Sequence, residues 1–356
     1  KKQVNKNLVF LIAESLNYDI ATDKKLMPYL SMLGENGKIF SDINELKITN
    51  FTTSGMYALL CGNFLPIYDI SKEQLCLTHI LKDNDYDVTF LRGDSNHFLD
   101  QAAENGKIDY GKNIINICDK DCLLNKYDLE NFHVWGAHDN ITINETIEIL
   151  KNKINKKKNF AIFSKTVDSH VEGYVSNQCK INDNFKSNIE RVFSCLDNEI
   201  KTLVSNVNNL DVNNGTIIVI ASDHLLMNQA FINKKKYKNK QKNFFLIYDN
   251  SNQNFQMNNK TATKIDIPAT ILDYMGLGDK VGIGVSIFSN KENLFNKINY
   301  INKIKFNNNE YNFNLRELIK SKLKIYLPNS TYIKIKNIFQ TSRQKIALLK
   351  YKYYYN

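Results

Sequence analysis

Five short, strongly apolar runs constrain this chain more than any other feature. They are Asn7–Ala13, Tyr86–Leu91, Asn159–Ser164, Gly215–Ala221 and Phe244–Tyr248. A strand with one solvated face alternates apolar and polar residues. A continuous run such as Leu8-Val-Phe-Leu-Ile-Ala13 marks a strand buried on both faces. Segments with helical spacing lie between the runs: Met27–Leu33, Lys72–Asp83, Ile141–Ile154, Asp183–Val204 and Ile265–Gly276. The last is opened by Pro268 and closed by Gly276, the usual asymmetry of helix ends. Strands alternating with helices predict an α/β domain, a mostly parallel sheet covered by helices on both faces.

The 356 residues give room for one large α/β domain or two smaller ones. A net charge of +10 rests almost wholly on lysine, the only arginines being Arg92, Arg191, Arg316 and Arg343. With Asn and Ile also abundant, this reads either as a compositional bias or as a surface drawn to anionic lipid or nucleic acid. No basic-aromatic module of a nucleic-acid fold accompanies it, so no nucleic-acid partner is expected. No apolar run approaches the roughly 18–20 residues needed to span a bilayer. Because the chain begins at Lys1, the expectation is a soluble part whose anchor, if any, lies before residue 1. Near Asn290 the composition shifts toward Lys, Asn and Tyr. The expected division is therefore a main domain over 1–290 and an appendage over 291–356. Its amphipathic fragments Leu315–Leu327 and Ile333–Phe339 either pack on the domain or lie on a membrane surface.

Ligands in open α/β sheets gather at the carboxyl ends of the strands. Here those ends carry Glu14-Ser15, Arg92-Gly93-Asp94 with His97 beyond, Thr166-Val-Asp168-Ser-His170, and Ser222-Asp223-His224. Between the first two strands, Thr52-Thr53-Ser54-Gly55 opens into the helical run Met56–Leu60. That puts small hydroxyls at a helix N-terminus, where free N–H groups and the dipole welcome a phosphate or sulfate. Thr and Ser are also ordinary N-caps, and that reading stands beside the chemical one. Glu14, Asp223 and His224 offer hard oxygen and imidazole ligands for a divalent cation of the Mn or Zn type. Such a cation favours the alkoxide of Thr52 and neutralises charge on a transferring phosphoryl group. Imidazoles at His97, His138 and His170 suit contact with the phosphate or protonation of a leaving alkoxide. Trp135, the only tryptophan, is either a packing anchor or part of that site. Cys118–Cys122 reads as a tight polar loop. The six cysteines, Cys61, Cys76, Cys118, Cys122, Cys179 and Cys195, fall as three sequence-local pairs. The even count suits an oxidising compartment, buried free thiols remain the alternative, and no Cys-x2-Cys spacing argues for zinc. If paired, a loop such as Cys61–Cys76 adds about 3 kcal/mol by restricting the unfolded chain.

In order and spacing these residues resemble a known family. Ala13-Glu14-Ser15-Leu16, Thr52 to Gly62, Trp135-Gly136-Ala137-His138-Asp139, Thr166-Val167-Asp168-Ser169-His170 and Ser222-Asp223-His224-Leu225-Leu226-Met227 carry the likeness, with Gly282-Ile-Gly284-Val-Ser286 as a glycine-rich closing motif. They resemble the phosphoglycerol transferases that decorate periplasmic glucans. These are similar to lipoteichoic acid synthases and lipid A phosphoethanolamine transferases, all within the alkaline phosphatase/sulfatase superfamily. The likeness covers about residues 7–290. It implies an alkaline-phosphatase-like fold, a phosphotransferase with Thr52 as nucleophile, and a metal held by Glu14, Thr52, Asp223 and His224. His170 is then expected over the phosphate. Arg92, His97, Trp135 and Asp139 are expected to line the headgroup pocket, with His138 and Asp168 as further substrate-binding candidates. This chain has His97 where the family often has arginine. Cys61–Cys76 and Cys179–Cys195 fall where the glucan-type enzymes also carry cysteines. The ligand set of a two-zinc alkaline phosphatase is not evident, so one Mn2+ or Zn2+ is expected.

The resemblance further implies an extracytoplasmic domain behind N-terminal membrane helices. It implies a phospholipid donor, a glycan acceptor and contact with a membrane surface. The leading expectation is transfer of phosphoglycerol from phosphatidylglycerol to a periplasmic or cell-surface glycan. Phosphoethanolamine transfer is the alternative within the same chemistry. A sulfatase would install formylglycine in a Cys/Ser-x-Pro-x-Arg context, which is absent. A catalytically silent membrane- or glycan-binding module is the alternative of another class.

Overall fold

A computed structural model describes residues 6–36, 38–64, 75–94, 115–156, 158–180, 184–211, 215–232, 242–251 and 260–296. In chain order the strands are β1 (Asn7–Ala13), β2 (Lys38–Ile39), β3 (Ile43–Asn44), β4 (Asp87–Arg92), β5 (Asn116–Cys118), β6 (Phe160–Lys165), β7 (Thr216–Ser222), β8 (Phe245–Tyr248) and β9 (Ala262–Thr263). The main sheet runs β2-β8-β7-β1-β6-β4-β5, while β3 pairs with β9. From β7 to β5 every pairing is parallel, and β8 and β2 add an antiparallel edge.

The continuous apolar runs have their explanation in the two cores. Leu8, Phe10 and Ile12 of β1 join Phe163, Ile217 and Val219 on one face. Val9, Leu11 and Ala13 join Ile162, Ile218 and Ile220 on the other. Successive side chains of a strand point to opposite faces, so a strand covered on both must be apolar throughout. The first face is covered by helices Thr52–Cys61, Leu77–Asp83 and Ile267–Tyr274, through residues such as Met56, Leu81 and Ile271. The second is covered by Pro28–Asn36, Asp139–Ile154 and Asn188–Leu210, through Leu30, Leu150 and Phe193. Phe10 meets Phe163 with ring centroids 5.7 Å apart. Truncating such a buried ring to alanine costs about 3–5 kcal/mol.

The expected α/β architecture holds, with local differences. The segment expected as a helix over 72–83 is helical from Leu77 to Asp83, and Cys76 is its N-cap. Cys118–Cys122 is not a loop. It is the end of β5 followed by the short helix Lys120–Leu124, because the Asp119 carboxylate accepts from the N–H groups of Asp121 and Cys122. The helix expected over 183–204 runs from Asn188 to Leu210, started by a Ser187–Glu190 capping box. The run expected as a strand over 244–248 forms β8, Phe245–Tyr248, which is antiparallel, a direction that periodicity does not encode. Gly282 and Gly284 belong to the hairpin of β10 (Lys280–Val281) and β11 (Gly284–Val285).

All six cysteines are bridged, as Cys61–Cys76, Cys118–Cys122 and Cys179–Cys195. Free thiols are thereby excluded. Beyond residue 296 the expected appendage, with its two amphipathic fragments, lies outside the described residues, as does His97. Among the described residues no helix is long and apolar enough to cross a membrane.

Candidate active site

Parallel register brings the strand ends together: Ala13 lies opposite Ser222, and Lys165 lies opposite both Ile12 and Arg92. Beyond Ala13 the chain turns through Ser15, whose φ of 56° is in the left-handed region. A non-glycine residue there costs on the order of 1 kcal/mol and is kept only where its surroundings fix it. Here the Ser15 N–H donates to Asp223 Oδ1 at 2.9 Å and its hydroxyl to Glu14 Oε1 at 3.0 Å. The Glu14 N–H donates to Thr166 Oγ1, and its carbonyl accepts from Ser169. Glu14, Asp223 and His224 are all buried.

His224 is oriented by its own chain. Its Nδ1–H donates to the Leu225 carbonyl at 2.8 Å, which turns Nε2 toward Glu14 Oε1 at 3.0 Å and Thr52 Oγ1 at 3.2 Å. Burial disfavours the imidazolium, but the carboxylates of Asp223 and Glu14 outweigh it and lift the His224 pKa to about 9. Burial and the Glu14 charge push Asp223 up to about 6. Burial also works against ionised Glu14, yet Lys165 and His224 hold it well below the usual carboxylate range.

Asp223 Oδ1 takes the N–H groups of Ser15 and His224, while Oδ2 is buried with no hydrogen-bond partner. An orphaned carboxylate oxygen beside an imidazole already anchored through its other nitrogen fits a cation site. Glu14, Asp223 and His224 form a candidate donor set for a divalent cation, with Thr52 Oγ1 3.2 Å from His224 Nε2.

Thr52 is the first residue of its helix, and the N-cap is Phe51 with no side-chain cap. The capping reading of Thr52 is therefore corrected: its hydroxyl faces His224. Ser54 bonds back to the Phe51 carbonyl instead. This helix comes close to β7, since a Cβ on Gly55 would stand 1.9 Å from the Asp223 carbonyl oxygen. Buried Lys264 locks the two together. Its ammonium donates to the carbonyls of Asp223 and Thr49 at 2.5 and 2.6 Å and pairs with Glu45 at 2.8 Å. Burial lowers its pKa, opposed by Glu45.

The end of β6 builds the neighbouring wall. Asp168 Oδ1 accepts from His138 Nδ1 at 2.9 Å and lies 3.1 Å from His133 Nε2. Its Oδ2 accepts from the Asp139 N–H. The Asp139 carboxylate in turn takes the N–H groups of Val167 and Asp168. Asp139 and Asp168 thus clasp one loop to another from buried positions. Trp135 packs on His170 with centroids 4.0 Å apart, and its indole N–H donates to Tyr174. Tyr174 stacks on His133 at 4.3 Å. Burial lowers the pKa of half-buried His170. Arg92 is fully buried and makes a two-point pair with Asp94 at 2.8 and 2.9 Å.

The structure therefore gathers Glu14, Thr52, Asp223 and His224 at one point, and Trp135 and His170 beside each other. Sequence reasoning missed His133, Tyr174, Lys165 and Lys264. Lys165 ends an apolar strand and Lys264 opens a helix, positions where lysine usually reads as a solvated edge. The stacking partners His133 and Tyr174 carry no local signal.

Fold and site together define an α/β domain of the sulfatase kind with a candidate cation-binding cluster at the carboxyl ends of its strands. The family model described as Sulfatase matches residues 6–277, and the chain belongs to that family. Its similarity is to phosphoglycerol transferase I of Escherichia coli O127:H6 (strain E2348/69 / EPEC), 28% identical over 317 residues that cover 80% of this chain and 39% of the relative. Phosphoglycerol transferase I of Escherichia coli (strain SMS-3-5 / SECEC) is 27% identical over 321 residues, with the same coverage. The chain thus spans about two fifths of the length of these relatives. The resemblance carried by the motifs holds.

Among solved structures, a protein of the alkaline phosphatase superfamily from Vibrio parahaemolyticus superposes with a TM-score of 0.62 at 19% identity, covering 82% of this chain and 72% of that one. The lipoteichoic acid synthase LtaP from Listeria monocytogenes gives 0.61 at 14% identity, covering 80% and 76%. Both likenesses show that this chain shares the α/β fold of those two structures.

Proposed function

We propose that this domain is a phosphotransferase that moves phosphoglycerol from phosphatidylglycerol to a periplasmic or cell-surface glycan through phospho-Thr52. The observation that carries the reading is the Thr52 hydroxyl at a helix start, 3.2 Å from His224 Nε2 and beside the orphaned Asp223 Oδ2. One Mn2+ or Zn2+, held by Glu14, Thr52, Asp223 and His224, would stabilise negative charge on the nucleophilic and phosphoryl oxygens. Thr52 Oγ attacks phosphorus, the bond to the diacylglycerol oxygen breaks, and the proton of Thr52 ends on that oxygen. The acceptor hydroxyl then attacks phosphorus, the bond to Thr52 Oγ breaks, and the acceptor's proton ends on Thr52. His170, neutral near pH 7 because burial lowers its pKa, is suited to carry these protons.

The names of the relatives support the reaction class. The three disulfides suit an extracytoplasmic site, and the +10 charge suits anionic lipid. The basic segment 291–356 is assigned as an appendage to this domain. One observation favours phosphoethanolamine as the headgroup: the aromatic wall of Trp135 and Tyr174 carries Glu172 Oε2 at 3.3 Å from the Tyr174 hydroxyl, a setting that attracts an ammonium.

The deciding experiment offers fluorescent phosphatidylglycerol or phosphatidylethanolamine to the purified protein, with and without Mn2+ or Zn2+. Labelled diacylglycerol from phosphatidylglycerol alone is expected. Release from phosphatidylethanolamine alone would transfer the assignment to phosphoethanolamine. Release from neither, with no metal bound, would leave a non-catalytic binding module.

A further inference from the structure

The proposed metal centre already contains a cation of its own. Lys165 is fully buried at the end of β6, held in register against β1 and β4. Its Nζ donates to Glu14 Oε2 at 2.8 Å and to the Thr166 carbonyl at 3.0 Å. It lies 3.7 Å from Asp223 Oδ2 and 3.9 Å from Asp94 Oδ2. The two oxygens of Glu14 are thereby divided. Oε2 belongs to the ammonium, while Oε1 faces His224 Nε2 at 3.0 Å.

Charge bookkeeping agrees with this division. With His224 neutral, as a metal ligand must be, the carboxylates of Glu14, Asp94 and Asp223 meet the cations of Arg92 and Lys165, which leaves one net negative charge. One divalent ion then makes the centre singly positive, a match for the single negative charge of a phosphodiester. Two would leave three positive charges packed together, and a buried ammonium stripped of its carboxylate partner is strongly disfavoured.

We propose that Lys165 is the built-in second cation of this centre. Its ammonium fills the space between Glu14 Oε2, Asp94 and Asp223 in which a second divalent ion would sit, and so limits the centre to one metal ion on the Glu14 Oε1–Asp223 Oδ2–His224 Nε2 side. This rests on the reading of that cluster as a metal site.

The test is metal stoichiometry, read without any activity assay. Wild-type protein and Lys165→Ala are titrated with Mn2+ by calorimetry, bound metal is measured after dialysis, and folding is checked by circular dichroism. One ion per wild-type chain and two per Lys165→Ala chain are expected, with ethylammonium displacing the second ion from the variant. One ion in both folded proteins overturns the role of Lys165 and leaves the metal site standing. No ion in the wild type defeats the metal reading itself. Should Lys165→Ala fail to fold, anomalous diffraction from wild-type crystals soaked in Mn2+ decides. A single peak among Glu14, Asp223 and His224 supports the proposal, and a further peak between Glu14 and Asp94 overturns it.

Discussion

Thr52 Oγ1 lies 3.2 Å from His224 Nε2 across 172 positions of sequence. The hydroxyl arrives on the first turn of a helix and the imidazole on the loop after β7, and each is fixed by different partners. Neither residue depends on the other for its placement, so the pair can be taken apart one side at a time.

Thr52→Ala should cut diacylglycerol release at least about a thousandfold while leaving the fold in place. Thr52 is half-buried and its side chain caps nothing, so the thermal midpoint should move little. Thr53→Ala serves as the neighbouring control. Activity of Thr52→Ala within tenfold of wild type would remove Thr52 from the nucleophile's role.

Metal binding must displace a proton from His224. Without a metal the His224 pKa stands at about 9, above its ordinary 6.5. Its contribution to the stability of metal-free protein is therefore whole below pH 6.5 and is lost as pH rises through about 9. Metal affinity should run the opposite way, rising about tenfold per pH unit below that value as one proton is released. Saturating metal at a hundred times its Kd should add about 2.7 kcal/mol to stability, lost again on chelation. Calorimetric titrations from pH 6 to 8.5 check both, and an affinity independent of pH would count against His224 as a ligand.

Glu199 lies in the helix Asn188–Leu210, and its Oε2 is shut off from solvent with no hydrogen-bond partner. Burial, with Asp139 and Asp168 nearby, pushes its pKa well above the ordinary value of 4.5. A raised carboxyl favours folding fully below the unfolded value, and that advantage fades as pH climbs through the folded one. Glu199→Gln should therefore gain about 1–2 kcal/mol at pH 8 and almost nothing at pH 4.5. Thermal midpoints of both proteins across that range give the answer, and equal slopes would contradict it.

Gly55→Ala should both destabilise and inactivate. The added methyl would meet the Asp223 carbonyl at 1.9 Å, and backbone on both sides leaves it nowhere to go. Overpacking of this kind costs about 1–3 kcal/mol. The helix must back away from β7 and carry Thr52 off His224, so turnover should fall more than stability does. A variant with wild-type midpoint and turnover would mean that the helix has slack.

The sheet was legible because its strands are apolar on both faces, a pattern only double coverage requires. The cluster of Glu14, Asp223 and His224 was legible because these residues follow those strands directly. Strand direction was not, since the antiparallel β8 has the same periodicity as a parallel strand. The second layer of the site was hidden for another reason. Lys165 and Lys264 act through contacts with residues far along the chain, and a lysine looks the same in sequence whether it meets water or a buried carboxylate. Arg92 shows the converse. The family resemblance, not its own place at the end of β4, suggested a pocket residue, and its guanidinium is paired with Asp94 two residues on.

The order of the sheet also sets a schedule. β1 carries Glu14 from near the beginning of the domain, but its neighbour β7, which supplies Asp223 and His224, comes more than two hundred residues later. A folding chain holds Glu14 apart from Asp223 and His224 until that parallel strand pairs with β1. A cluster whose members lie so far apart in sequence is complete only once β7 has paired with β1, so a cation held there would bind the folded domain and not its parts.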